Sequence, residues 1–314
     1  MRMRKILTGA AGSLGLVAGT NKLLQRQAGT LPTPLGRATD EYRWRGFDVS
    51  YTEAGDPSDP DLVLIHGVNA AATSAEFAGI FDALAESYHV FAPDLPGFGL
   101  SDRPPLAYSA SLYTTFVEEF LEELTDEPTV VGASLGGAYA AIAATETPVS
   151  ELFLICPTTT TMPGNRTWLR SLLRSPLLGE GLFNLTTSRK ALDYFSADHG
   201  LFDPSVADDE YIEYRWESAH QPGARYAPAS FLSGALDPAV DLSTTLATIE
   251  QPCTLIWGRD ASTSPLSAGE SLAAHADAKL AVFDEAQLLP HVEHPDGVVS
   301  VLTHSDDASA YFDG

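Results

Sequence analysis

The chain has 314 residues, 44% of them hydrophobic, enough to bury a sizeable core as one large domain or two modest ones and too apolar for a disordered protein. Its 42 acidic side chains against 18 Lys and Arg give a formal net charge of −24. Lysine is confined to Lys5, Lys22, Lys190 and Lys279, a balance that argues against nucleic acid as a partner. A surface of this kind repels itself unless salt shortens the Debye length to about 3 Å near 1 M. The composition therefore points to a halophilic host, with an ordinary acidic cytosolic protein as the plainer reading.

At the N-terminus, Arg2, Arg4 and Lys5 precede an uncharged stretch over residues 6–21 that is rich in Ala, Gly and Leu. It is short for a spanning helix, which needs about 20 predominantly apolar residues, and no clear A-x-A cleavage site follows it. Two readings stand: a signal or membrane-associated segment on an otherwise cytoplasmic protein, or a helix loosely docked ahead of the Pro-rich linker "LPTPLGR". Residues 1–40 are assigned to this segment and linker. From Tyr42, "YRWRGFDVSYTEAGD" alternates as a hairpin at a sheet edge does.

Four short apolar runs follow, "DLVLIHG", "YHVFAPD", "PTVVGAS" and "ELFLICP", separated by helical patterns such as "SASLYTTFVEEFLEEL", for which Ser109 or Ser111 supplies an N-cap. Strand and helix in alternation predict an α/β fold, a mostly parallel, doubly wound sheet covered on both faces. Residues 157–250 lose the strand signal and read as an inserted helical lid, before "PCTLIWGRD" and "AKLAVFDE" resume the core. The core is thus expected over 41–156 and 251–314, ending in an amphipathic helix from about Glu293 to Thr303. Cys156 and Cys253 close and open apolar runs and read as small buried residues on opposite edges of the sheet, not as a disulfide.

The sharpest motif is "VVGASLGG", in which Gly132, Ser134 and Gly136 form G-x-S-x-G between an apolar strand and a helix of small residues. A serine on a sharp strand-to-helix turn needs very small neighbours for the backbone to pass closely, and the helix N-terminus beneath it favours developing negative charge. Upstream, "LIHG" puts His66 and Gly67 at the end of an earlier parallel strand. There the N–H of Val68 joins that of Leu135 as a candidate oxyanion donor, and His66 reads as a support of the loop.

With "LIHG", "DLPGFGLSD", the serine elbow and "WGRD" in this order and spacing, the chain from about Tyr42 onward resembles the α/β-hydrolase superfamily, its capped, cofactor-free serine branch. The resemblance implies Asp260 as the acid of a Ser-His-Asp relay, no cofactor and a small-molecule substrate. Serine at 134 argues against the haloalkane dehalogenase branch. Where the family typically reads A-G-H-x-P-H-x-E-x-P, this chain has Ala286, Gln287, Leu288, Leu289, Pro290, His291, Val292, Glu293, His294, Pro295. Leu288 stands in the place of the histidine, and leucine accepts no proton.

Three readings follow. His291 reaches back as the base from three residues too late, up to about 10 Å along the chain; a lid histidine, His199 or His220, enters the site; or Ser134 has no histidine partner. The last leaves a weak hydrolase or a ligand-binding relative, since loss of a triad member still leaves about 10³–10⁴-fold catalysis. The spacing of His291, Glu293 and His294 does not match a metal motif. In the insertion, Arg166, Arg170 and Arg174 share a helical face, open to an anionic ligand or to pairing with the protein's own carboxylates. Phe183, Tyr194, Phe195, Tyr214, Trp216, Tyr226 and Phe231 are expected to line or close an apolar pocket over Ser134. These readings converge on a carboxylesterase-like hydrolase of small apolar acyl substrates, with an impaired, ligand-binding relative as the alternative.

Overall fold

The computed structural model describes residues 2–161, 164 and 166–312, with side chains from Gly15 onward except those of 306 and 307. Eight strands form one sheet: β1 (Thr39–Trp44), β2 (Phe47–Ala54), β3 (Asp61–Ile65), β4 (His89–Pro93), β5 (Thr129–Ala133), β6 (Glu151–Ile155), β7 (Cys253–Gly258) and β8 (Lys279–Phe283), in the order β1-β2-β4-β3-β5-β6-β7-β8. β2 runs antiparallel to both of its neighbours, and every pairing from β4 to β8 is parallel. The β1–β2 hairpin turns at Arg45 and Gly46, both with positive φ, the conformation a two-residue turn needs to match strand twist.

Helices cover both faces. On one side lie α3 (Ala110–Leu124), α4 (Ser134–Ala143), α10 (Leu242–Leu246) and α11 (Leu266–Ala276); on the other lie α2 (Ala78–Leu84) and α13 (Pro295–Leu302). The sequence "LVLI" shows how the core is divided. Side chains alternate across a strand, so Val63 and Ile65 enter the first cluster and Leu62 and Leu64 the second. Both faces are covered, so the run reads as continuously apolar. Ser109 caps α3, its hydroxyl taking the Leu112 N–H at 3.3 Å, and Tyr113, Phe116, Val117, Phe120 and Leu121 form the buried stripe. Each such side chain contributes about 1.5–3 kcal/mol by leaving water.

The segment between β6 and β7 contains no strand among the described residues. Its helices are α5 (Thr167–Arg174), α6 (Leu178–Thr186), α7 (Arg189–Phe195), α8 (Asp209–Ala219), α9 (Tyr226–Phe231) and α10, which packs on α4 and α11 and so joins the core layer. Phe183, Leu192, Ile212 and Trp216 make a small core of their own with Ala28 and Ala71.

α1 (Arg2–Ala28) docks here. Asn21, buried, donates to Leu177 O at 3.2 Å and accepts from Asn184 Nδ2 at 3.1 Å, while Gln25 donates to Glu180 at 2.7 Å. From Gly15 onward, α1 is thus the docked helix of the second N-terminal reading. The earlier side chains of the 6–21 stretch lie outside the described residues, and no described helix is long and apolar enough to cross a membrane.

One expectation needs correction. Cys156, directly after β6, and Cys253, the first residue of the neighbouring β7, lie at opposite ends of adjacent strands rather than at opposite edges of the sheet, and both are free thiols pushed up to about 12, chiefly by burial. The expected terminal helix is α13, preceded by the single turn α12 (Pro290–Glu293). The two are separated at His294, whose backbone leaves the helical region immediately before Pro295.

Candidate active site

Parallel register brings Ile65 beside Gly132, so the carboxyl ends of β3 and β5 deliver Gly67 and Ser134 side by side. Ser134 sits where β5 turns into α4, at φ +51°, a left-handed conformation that costs a non-glycine residue about 1–3 kcal/mol. The two glycines of the motif make this turn possible. A Cβ on Gly132 would stand 2.6 Å from Gly137 Cα, and one on Gly136 would stand 2.4 Å from His66 O. The Leu135 N–H belongs to the first turn of α4, whose donors have no intrahelical acceptor and face any negative charge at Ser134.

His66 is fully buried, its Nδ1 2.6 Å from Gly67 O and its Nε2 accepting the Leu95 N–H at 2.9 Å. Both ring nitrogens are spent on backbone, and burial lowers its pKa, so it is a neutral strut between two loops. Asp94 organises the same end of the sheet, accepting from Ser74 N at 2.7 Å and from Leu100 N at 2.7 Å. Gly99 must be glycine, because a Cβ there would overlap the Asp94 carboxylate at 1.9 Å.

At the end of β8 the expected relay is not assembled. Leu288 packs with Cys156, Trp257, Ala261 and Leu266, so an apolar cluster occupies the ground between elbow and acid loop. Asp260 is exposed, its backbone N–H bonded to Ala286 O at 3.0 Å. His291 has no access to solvent and neither ring nitrogen has a hydrogen-bond partner, so it bonds to neither Ser134 nor Asp260. It packs on Phe77 with ring centroids 5.3 Å apart, its Nε2 is 3.8 Å from Glu76 Oε1, and burial pushes its pKa down to about 3.

The insertion's histidines are elsewhere. His220 is bonded through Nδ1 to Trp216 O at 2.7 Å and stacked on that indole, and His199 is exposed beside Asp198. No cluster of His, Cys, Asp and Glu able to hold a metal ion occurs among the described residues.

One residue was missed by the reading of the sequence. Glu76, the only Asp, Glu, Lys or Arg between Asp61 and Asp82, has a side chain that is largely buried, 10% exposed, and its Oε1 accepts the Gly67 N–H at 2.8 Å. A Cβ built on Gly67 would be 3.5 Å from Ser134 Cβ and 3.6 Å from Glu76 Oε2, so the carboxylate and the serine flank one small space over Gly67. Burial raises the Glu76 pKa to about 7, against the lowering pull of the Gly67 N–H and of Arg215. A lone carboxylate in an apolar stretch after "LIHG" was the available signal.

Glu76 also lines a cavity of about 570 Å³ between the linker at Pro32–Gly36, the loop at Asn69–Ala78 and α8. Its surface is mostly apolar, although Glu210, Glu213, Arg215 and Glu217 stand in the walls beside Tyr211 and Tyr214, and Ser134 is not among its lining residues. Of the aromatics anticipated for it, only Tyr214 lines it. Phe183 and Trp216 are core of the insertion, Tyr194 and Phe195 are exposed, and Tyr226 and Phe231 pack on the main core. Among the insertion's arginines, Arg174 donates to the carbonyls of Pro105 and Leu106, and Arg189 pairs with Glu213 over the Trp216 ring.

Gln287 and Glu293 tie the insertion to the core. Gln287 Nε2 donates to Leu201 O at 2.9 Å. Glu293 accepts the N–H groups of Phe202 at 2.5 Å and Asp203 at 3.2 Å through one oxygen, and that of Gln287 at 2.9 Å through the other.

The Alpha/beta hydrolase family model matches residues 62–301. Over 268 residues the chain is 30% identical to the 2-hydroxy-6-oxo-6-phenylhexa-2,4-dienoate hydrolase of Burkholderia cepacia, a match covering 80% of this chain and 88% of that protein. It is 27% identical over 247 residues to the pimeloyl-[acyl-carrier protein] methyl ester esterase of Aeromonas hydrophila, covering 78% and 94%. Among solved structures, a meta-cleavage product hydrolase from Pseudomonas fluorescens superposes with a TM-score of 0.65 at 23% identity, covering 86% of this chain and 97% of that one. A bacterial membrane phospholipase A gives 0.69 at 23%, covering 98% and 97%.

Proposed function

This chain belongs to the alpha/beta hydrolase family, and from that membership we propose that it hydrolyses small, uncharged carboxylic esters with Ser134 as the nucleophile. The observation that carries the reading is the backbone of Ser134, held at φ +51° between β5 and α4 at the cost of strain. In this mechanism Ser134 Oγ attacks the ester carbonyl. The negative charge passes to the carbonyl oxygen, which the N–H groups of Leu135 and Val68 and the N-terminus of α4 stabilise. Each such donor is worth about 2.7–4 kcal/mol in related chemistry. The leaving alcohol departs, and water releases the acyl group from the serine.

Substrate enters by the cavity of about 570 Å³ under α8, with the helical insertion acting as a lid held by Gln287 and Glu293. The three glutamates of α8 in its wall disfavour an anionic substrate, and Ala71, Ala72 and Tyr214 offer apolar surface to the acyl chain. Asp260, the acid implied by resemblance, and His291, the candidate base three residues past Leu288, have other surroundings. The first is a surface carboxylate, and the second is a neutral imidazole whose Nε2 lies 3.8 Å from Glu76 Oε1. The net charge of −24 sets the working medium as one of high salt.

A second reading, a ligand-binding relative with no turnover, is favoured by Leu288 and its apolar cluster. Fluorophosphonate labelling in high salt separates the two. Labelling of the wild type that is lost in Ser134→Ala, with turnover of short-chain nitrophenyl esters, is the expected result. Absence of Ser134-dependent labelling decides for binding alone.

A further inference from the structure

The geometry points to Glu76 as the proton acceptor and donor for Ser134, in place of the histidine that this chain replaces with Leu288. The inference rests on the reading of Ser134 as the nucleophile. Among the described residues, the candidate histidines are engaged or placed elsewhere. His66 is spent on two backbone groups, His220 is bonded within the insertion and His199 is exposed on its own segment. His291 is sealed against Phe77 with no hydrogen-bond partner. Glu76 is the titratable group that the fold brings to the space shared with Ser134.

The two oxygens of Glu76 have different surroundings. Oε1 is fixed by the Gly67 N–H at 2.8 Å, which orients the carboxylate and holds the loop that carries Val68. Oε2 is 3.6 Å from the point over Gly67 that is itself 3.5 Å from Ser134 Cβ, which bounds the separation of Oε2 from that carbon. Ser134 Oγ is one bond further out and turns about χ1, so direct contact or a single intervening water spans the remainder, which is the reach a general base requires. The side chain also lines the cavity through which substrate arrives.

The proton balance closes without a co-reactant. Glu76 takes the Oγ proton as the new C–O bond forms, then gives it to the oxygen of the departing alcohol as the ester C–O bond breaks. In the second half it takes a proton from the attacking water and returns one to Ser134 Oγ as the acyl–serine bond breaks.

A carboxylate suits this work at neutral pH only when its affinity for a proton is raised, and burial holds Glu76 at about 7. The groups facing it are His291 from α12, Arg215 from α8 and, across the cavity, Glu210, Glu213 and Glu217. His291 is neutral there, with its Nε2 3.8 Å from Glu76 Oε1.

The test uses the full chain in high salt and follows both ester turnover and fluorophosphonate labelling against pH, in wild type, Ser134→Ala, Glu76→Gln and Glu76→Asp. Gln keeps an acceptor for the Gly67 N–H and loses only the base. We expect Glu76→Gln to lower kcat by about 10²–10⁴-fold with little change in KM and an unchanged fold by circular dichroism. The wild-type rate should rise with pH through about 7, and this limb should be absent in Glu76→Gln and partly restored in Glu76→Asp. If Ser134→Ala abolishes labelling while Glu76→Gln stays within about threefold of wild type with the same pH profile, the assignment of Glu76 is overturned and the serine reading survives. Labelling that persists in Ser134→Ala overturns both. Should Glu76→Gln fail to fold, a wild-type labelling rate that is flat from about pH 6 to 8 overturns the proposal by itself.

Discussion

Replacing Glu76 with Gln should make the folded protein more stable at alkaline pH, whatever it does to activity. An unfolded glutamate loses its proton near 4.5, while the buried one keeps it to about 7. Between those values the unfolded chain binds fewer protons than the native one, so stability falls as pH rises and levels off once the native group has ionised. At about 1.4 kcal/mol for each tenfold change in proton affinity, the ionised side chain costs the native state about 3 kcal/mol above pH 8. Glutamine fits the same space, accepts from Gly67 and does not ionise.

The stability of Glu76→Gln relative to wild type should therefore be near zero around pH 4 and grow to about 3 kcal/mol by about pH 8.5, or about 5 °C in Tm for a chain of this size. Urea titrations of both proteins at fixed high salt over that range measure it, and other carboxylates cancel in the difference. A difference that is flat with pH, or a Gln variant that is less stable at pH 8.5, would refute the claim that Glu76 is buried and held protonated beyond its ordinary range.

Other expectations follow from the same geometry. His291 is the opposite case: it is pushed down to about 3 from 6.5, so its contribution is complete above 6.5 and is lost as the unfolded histidine protonates. Relative to His291→Gln, wild type should lose about 2 kcal/mol between about pH 6.5 and 5, by the same titrations. Gly136→Ala should destabilise by about 3 kcal/mol or more and abolish labelling of Ser134, because the added carbon would meet His66 O at 2.4 Å; a soluble, reactive variant would refute the close packing of α4 on β3. Glu293→Ala deprives the N–H groups of Phe202, Asp203 and Gln287 of their acceptor. Limited proteolysis should then cut the stretch around 196–206 faster, with a loss of about 2 kcal/mol. Lowering salt from about 2 M to 0.1 M should depress Tm as the repulsion among the excess carboxylates lengthens its reach, and an unchanged melting curve would refute the halophilic reading.

Much of the fold was legible because its signals are local. The four apolar runs became β3 to β6, since strands covered on both faces carry no polar alternation to obscure them, and Ser109 caps α3 by a bond to a residue three positions on. The elbow was legible because a close backbone approach leaves glycine as its mark in the sequence. The placing of Cys156 and Cys253 by neighbouring strands was not, because strand order is a property of the sheet.

By itself the sequence determined the parallel sheet, the helical insertion, the strained serine and the absence of histidine at 288, each of which is written in residue type and spacing. Only the tertiary structure decided what surrounds the serine. It showed His291 sealed behind Phe77, Asp260 facing water, and Glu76, 58 residues before Ser134, brought to the far side of Gly67. Those outcomes depend on which chain segments meet at the carboxyl ends of β3 and β5, and on how completely they exclude water from a carboxylate. Burial is a sum over neighbours distant in sequence, and it is burial that turns an ordinary glutamate into a group with a proton to exchange near neutrality.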